Sequence, residues 1–328
     1  YIGKGDLSKS IFDLSSRIQM EGLNLSYGNE AYLQDKKIDA KLITRINTNS
    51  LELDFQKNDL LINQLPVAFN GTFNFLKNGY RMNFNAKTEK TDFKNVFTAL
   101  PPAFVQWVDR TNVQGKVLLN LSLKGDFISS ENKAPTLLFD IDVQKGALTT
   151  ALIKEPIEDI FLKLHVALPD LNTANLQLQL DTLNAVMGKN YVKAVLQTTG
   201  LQTPTIKGNI DAIADVEKWA VVMGLDSIAS IQLKGLYQLK ANLNGVFNPS
   251  KKQFPVTHAS MQWKNGYLQT GYYPTAITNI EIDGDVVNTK GTMSDLNINI
   301  KPISLQFEGQ PFSIKASLNN FDNLVYDI

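Results

Sequence analysis

A single register of self-similarity constrains this chain more than any motif in it. Val113–Phe127 (VQGKVLLNLSLKGDF) returns as Leu233–Phe247 (LKGLYQLKANLNGVF) at an offset of 120 residues, with Gly115 over Gly235, Leu119 over Leu239, Leu123 over Leu243, Gly125 over Gly245 and Phe127 over Phe247. The offset holds on through Pro135 and Pro255, Gly146 and Gly266, Ile160 and Ile280, and Leu176 and Leu296. A fixed period of this kind marks an array of like units, each contributing to a shared apolar layer.

A looser third copy lies upstream. Met20–Leu25 resembles Lys145–Leu148 with Gly22 over Gly146, and Asp59–Val67 (DLLINQLPV) resembles Asp295–Ile303 (DLNINIKPI). The expected organisation is a divergent first repeat over 1–112, a second over 113–232 and a truncated third over 233–328. Because the chain opens at Tyr1 and closes at Ile328 in what reads as a helix start, a leader or membrane anchor and further repeats are expected outside it.

Inside each unit the rule is strict alternation, as in Leu51–Phe55 (LELDF), Leu119–Leu123 (LNLSL), Leu176–Leu180 (LQLQL) and Leu296–Ile300 (LNINI). Period two gives β-strands with one apolar and one wet face. The breaks fall at Gly, Asn and Pro, such as Lys77-Asn-Gly79 and Lys264-Asn-Gly266, which read as hairpin turns. Two helices interrupt the meander. Phe93, Val96, Phe97 and Leu100 follow Asp92 at i, i+3, i+4 and i+7, and Val216, Trp219, Ala220 and Met223 follow Asp215 in the same way. Both acids stand where an N-terminal cap is favoured. Pro101-Pro102 stops the first helix, Gly224 ends the second, and Asn323–Ile328 reads as the start of a third.

Charge narrows the function classes. Lys plus Arg balances Asp plus Glu at 32 each, so no global field draws the chain to nucleic acid or to an anionic membrane. The absence of cysteine removes disulfides, thiol nucleophiles and thiolate metal sites. No apolar run reaches the roughly 20 residues that span a bilayer.

Catalytic chemistry finds no convergent set of residues. The two histidines, His165 and His258, alternate onto wet strand faces with no acid at ligand or relay spacing along the chain. Asp140 and Asp142 share one face, but their counterparts 120 residues on are Ser260 and Gln262, and a pair absent from the sister unit reads as a solvated face. Glu155, Glu158 and Asp159 around Pro156 read likewise. There is no Gly-x-Ser-x-Gly elbow and no phosphate-cradling glycine loop. The expectation is a chain that is not an enzyme and uses no metal or other cofactor.

The repeated Gly-x-x-x-x-Leu-x-x-x-Leu-x-Gly strand, the turns Gly146–Leu148 and Gly266–Leu268, and the Asp-led helix ending in Leu100-Pro-Pro-Ala-Phe104 resemble the AsmA-like family of Gram-negative envelope proteins, relatives of the TamB and bridge-like lipid-transfer group. The resemblance spans nearly the whole chain. It implies a periplasmic protein tethered to the inner membrane by a segment outside this chain, with its repeats forming a long curved groove. It also implies outer-membrane biogenesis and phospholipid movement as the role, with envelope membranes and envelope proteins as partners.

The fold expected is therefore mainly β, a curved antiparallel sheet or groove of repeats of about 120 residues with short amphipathic helices. The residues expected to receive acyl chains are Phe139, Ile141 and Val143 with Met261 and Trp263, all on the dry parity. Each methylene they withdraw from water contributes about 0.8 kcal/mol. The competing structural reading seals that face inside a closed sandwich or under the helices. The competing functional reading is a structural or adhesive β-repeat protein that binds glycan or protein.

Overall fold

Alternation becomes antiparallel strands throughout the computed structural model, which describes residues 2–5, 10–27, 30–100, 111–151, 153–222, 231–271, 273–319 and 325–327. The chain divides into two compact units, one of residues 1–147 with 162–177 and one of 148–161 with 178–328.

In the first unit β1 (Ile2–Gly5), β2 (Ile11–Tyr27), β3 (Glu30–Asn47), β4 (Glu52–Ile62), β5 (Leu65–Leu76) and β6 (Gly79–Lys87) pair in chain order, each antiparallel to the last. The short β7 (Thr91–Asp92) and helix α1 (Phe93–Ala99) follow, and the chain returns as β8 (Thr111–Phe127) alongside β6 and β7. The part of β9 (Thr136–Thr150) up to Ala147 and the part of β10 (Ile153–Leu168) from Leu162 complete this unit.

The second unit holds the remainder of those two strands and continues through β11 (Gln177–Met187), β12 (Asn190–Thr199) and β13 (Thr205–Asp215) to helix α2 (Val216–Val222). It then runs through β14 (Ile231–Val246), β15 (Val256–Thr270), β16 (Tyr273–Asn288), β17 (Asn297–Phe307), β18 (Gln310–Asn319) and β19 (Val325–Asp327). From β12 to β19 each strand pairs antiparallel with its successor.

Several expectations change. Val325–Asp327 is strand β19, hydrogen-bonded to Ser317–Asn319 of β18, where a helix start was expected. A neighbouring strand supplies partners for these backbone groups at once, whereas a helix must first close a costly turn. Lys77-Asn78 is a two-residue hairpin turn, with Leu76 opposite Gly79. Lys264-Asn-Gly266 is instead a bulge inside β15, lying between the Trp263–Ile282 and Gly266–Ile280 pairs. Asn265 absorbs the extra residue at φ 51°, and its amide donates to Glu281 Oε1 at 2.7 Å. Asp59–Val67 and Asp295–Ile303 are not equivalent segments. The first crosses the β4–β5 turn, while the second leaves a 3₁₀ turn at Met293–Asp295 to run along β17.

Both predicted helices form, with different starts. Asp215 Oδ1 accepts the Lys218 amide at 3.4 Å, a weak cap. Asp92 makes no cap bond, because its carboxylate pairs with Lys116 Nζ at 2.7 Å. The stops expected at Pro101-Pro102 and Gly224 lie outside the described residues.

One cross-strand ion cluster gives the first unit an acid limit. Asp126 accepts Arg81 Nε at 2.7 Å and Lys133 Nζ at 2.8 Å, and these bonds, the arginine's foremost, hold its carboxyl well below the usual carboxylate range. A depressed folded-state pKa contributes stability that is present above the unfolded value and lost as pH falls towards the folded one. The wild type is therefore expected to lose more urea resistance than Asp126→Asn as pH drops below about 4. Parallel losses measured by circular dichroism in the two proteins would contradict this.

Candidate functional site

Strand registry in the first unit sorts side chains into two unlike faces. One face carries the rows Ile46–Leu53–Phe73–Met82–Gly125, Thr44–Phe55–Gly71–Phe84–Leu123 and Phe75–Tyr80–Phe127, each residue opposite the next on adjacent strands. The other face carries Arg45–Asp54–Thr72–Asn83–Lys124 and Asn74–Arg81–Asp126. A one-residue slip would exchange the two sets, so the register is strongly specified.

The apolar face is an aromatic floor. Phe55, Phe69 and Phe84 form a triangle with ring centroids 5.5 to 5.9 Å apart. Phe73 extends it, 5.1 Å from Phe75, 5.3 Å from Tyr80 and 6.3 Å from Phe84. These separations suit offset and edge contacts. Gly71 leaves the space that the Phe84 ring occupies, since a Cβ there would lie 2.8 Å from both Phe84 Cα and Cδ1.

Coverage differs along this face. At one end α1 packs on β8 and β5, and Val96, Val113 and Val117 are buried there. Val117 continues the parity of Leu121 and Leu123 and keeps 1% of its surface. The C-terminal turn of α1 is tied down: Thr98 O accepts from Lys36 Nζ at 2.9 Å and Asn63 Nδ2 at 2.6 Å, and Thr98 Oγ1 from the Gln64 amide at 3.3 Å. Away from the helix the floor stays open, with Phe75 47% exposed, Tyr80 and Leu121 42% and Phe127 41%. In the second unit Phe312 and Ile314 of β18 are exposed to a similar degree.

The five side chains expected to line a groove fare unequally. Phe139, Ile141 and Met261 are half-buried. Val143 is 1% exposed, which leaves almost none of its surface for a ligand. Trp263 is half-buried too, and its indole donates to Lys234 O at 3.0 Å while its ring fills the space left by Gly235 and Gly266. It pins the bulge of β15 against Gly235 of β14. The more open aromatic set of β5 and β6 was missed, although the spacing Phe69, Phe73, Phe75 beside Tyr80 and Phe84 carries the same alternation.

Titratable groups stay dispersed. His165 Nδ1 lies 2.6 Å from Asp140 Oδ1, an acid partner that comes from the neighbouring strand and is invisible along the chain. Asp142 accepts from Gln144 and Glu155 pairs with Lys218. Among the described residues no three His, Asp or Glu side chains converge as a metal site, and no helix is long and apolar enough to cross a membrane. No family model, curated protein or solved structure matches this chain.

Proposed function

We propose that this chain is a lipid-binding segment that carries acyl chains along an apolar β groove, in a periplasmic, inner-membrane-tethered protein of the AsmA-like kind acting in outer-membrane biogenesis. The observation that carries the reading is the open aromatic floor of the first unit, where part-exposed phenyl rings continue across adjacent strands from Phe55 to Phe127 while the polar rows Arg45–Lys124 and Asn74–Asp126 lie on the reverse face. Contiguous exposed apolar surface of this kind marks an interaction site. Hydrocarbon is the chemistry it favours, because the Phe73, Phe75 and Tyr80 rings pack on one another and the phenol is the one polar group these side chains carry, and each methylene that leaves water gains about 0.8 kcal/mol.

A repeating unit of about 120 residues is the second element of the proposal. It is supported by strand starts at Thr111 and Ile231, Thr136 and Val256, Ile153 and Tyr273, Gln177 and Asn297, and Asn190 and Gln310, each pair 120 apart. It is supported equally by left-handed residues at Asn132 and Lys252, Lys145 and Asn265, and Asp159 and Asn279. Units that present like apolar faces supply floor continuity, which passage of a hydrocarbon tail requires, and no cofactor is needed.

The reading is tested by native mass spectrometry of the protein purified from a Gram-negative envelope in mild detergent. Bound phospholipid, displaced by excess short-chain phospholipid, is expected. Protein that emerges free of lipid, and takes up none from phospholipid vesicles, overturns it.

A further inference from the structure

The polar face of the second unit contains an open depression of about 870 Å³, lined by β13 to β17. Strand registry sets two rows across its floor. Ser260, Asp285 and Asn299 stand opposite one another on β15, β16 and β17, and His258, Val287 and Asn297 form the next row. At about 4.8 Å between strands, the three polar groups of the first row present acceptors and donors over about 10 Å.

The margins of the depression are already satisfied. Asp211 accepts the Tyr191 hydroxyl at 2.9 Å and lies 3.7 Å from Lys240 Nζ, and the Asn242 amide donates to Asn209. Asp295 accepts from the Thr289 amide and hydroxyl and from the Lys290 amide, which hold its carboxyl below the usual range. The floor is different. Among the described residues, the side chains of Ser260, Asp285, Asn297, Asn299 and His258 engage no hydrogen-bond or ion-pair partner.

The ligand class follows by elimination. An anion would meet Asp285, Asp211 and Asp295 with a single lysine that already faces Asp211. A metal ion would find one free carboxylate, and no three-ligand cluster exists among the described residues. A hydrocarbon chain would strand five polar groups on the floor, at a cost for each left unpaired. A neutral polyhydroxylated molecule fits: Asp285 and the two asparagines bridge adjacent hydroxyls, and Val287 with the His258 ring offers the apolar contact that the C–H face of a sugar ring uses.

From this geometry we infer that the depression is a saccharide site, taking a short neutral oligosaccharide laid across β15 to β17. This site is independent of the lipid reading.

The test uses the whole chain, titrated with cellotetraose, maltotetraose and chitotetraose by calorimetry and by amide chemical-shift mapping. At least one of the three is expected to bind saturably, with shifts concentrated on β15, β16 and β17. Asp285→Ala is expected to weaken that binding about tenfold or more, the scale of a hydrogen bond to a charged group. Asn299→Ala, at an exposed position, gives the same direction of change should the first variant fold poorly. Absence of saturable binding by all three sugars, or binding that both variants leave unchanged, overturns the assignment.

Discussion

Replacing Gly71 by alanine is expected to destabilise the first unit by about 3 kcal/mol or more, a severe effect for one methyl group. The added Cβ would fall 2.8 Å from Phe84 Cα and against the Asn83 carbonyl, both belonging to the paired strand β6. Backbone cannot swing aside as the tip of a long side chain can, so β5 and β6 must part or Phe84 must leave its place. Overpacking alone costs about 1 to 3 kcal/mol, and the φ of 153° at Gly71 adds backbone strain for an L-residue. Urea denaturation followed by circular dichroism measures the effect as a fall in midpoint with unchanged slope. A shift within about 0.5 kcal/mol, the range of ordinary surface changes, would show that the Phe84–Gly71 contact does not hold the floor together.

The second large effect separates the covered end of the apolar face from the open one. Val117→Asp is expected to cost about 4 kcal/mol, because Val117 is 1% exposed where α1 packs on β8 and a carboxylate there is cut off from water. Phe75→Asp is expected to cost about half as much, about 2 kcal/mol, since that ring is 47% exposed and the charge remains hydrated while its contacts with Phe73 and Tyr80 are lost. Lipid retention is expected to reverse this order of importance. Phe75→Asp, alone or with Tyr80→Asp, puts charge on the open floor and should reduce bound phospholipid about tenfold while the fold persists. Equal destabilisation by the two aspartates would mean that both ends of the face are sealed.

Much of the architecture was legible in residue order, for a physical reason. Alternation such as LELDF at Leu51–Phe55 or LNINI at Leu296–Ile300 has a single low-energy solution, a strand with one wet face, and the register then follows from which parity is oily. Helices α1 and α2 were legible from their 3.6-residue spacing and their leading aspartates. What local pattern could not carry was the choice between turn and bulge: Lys77-Asn78 closes a hairpin and Lys264-Asn-Gly266 does not. The difference lies in partners remote in sequence, the indole of Trp263 reaching Lys234 O and the carboxylate of Glu281 meeting the Asn265 amide.

The candidate site divides along the same line. That an apolar face exists is written into the parity of the strands; which part of it remains open depends on where α1 comes to rest. The contacts of Thr98 with Lys36, Asn63 and Gln64 place that helix over Val113 and Val117, leaving Phe75, Tyr80 and Phe127 uncovered. Val143 looked equivalent to Phe139 and Ile141 in sequence, yet it is buried while they are half-exposed. Similarly, the Asp140–His165 pair joins two strands, and no spacing rule along one strand finds it.

The most direct measurement places a photoreactive phenylalanine analogue at Phe73, Phe75 or Phe84 on the aromatic floor and, as the opposing control, at Asn83 or Asn85 on the reverse face. After irradiation in the envelope, mass spectrometry is expected to recover phospholipid attached at the floor positions and none at the reverse positions. Floor positions that yield no lipid, or lipid recovered equally from both faces, would contradict an apolar surface dedicated to hydrocarbon.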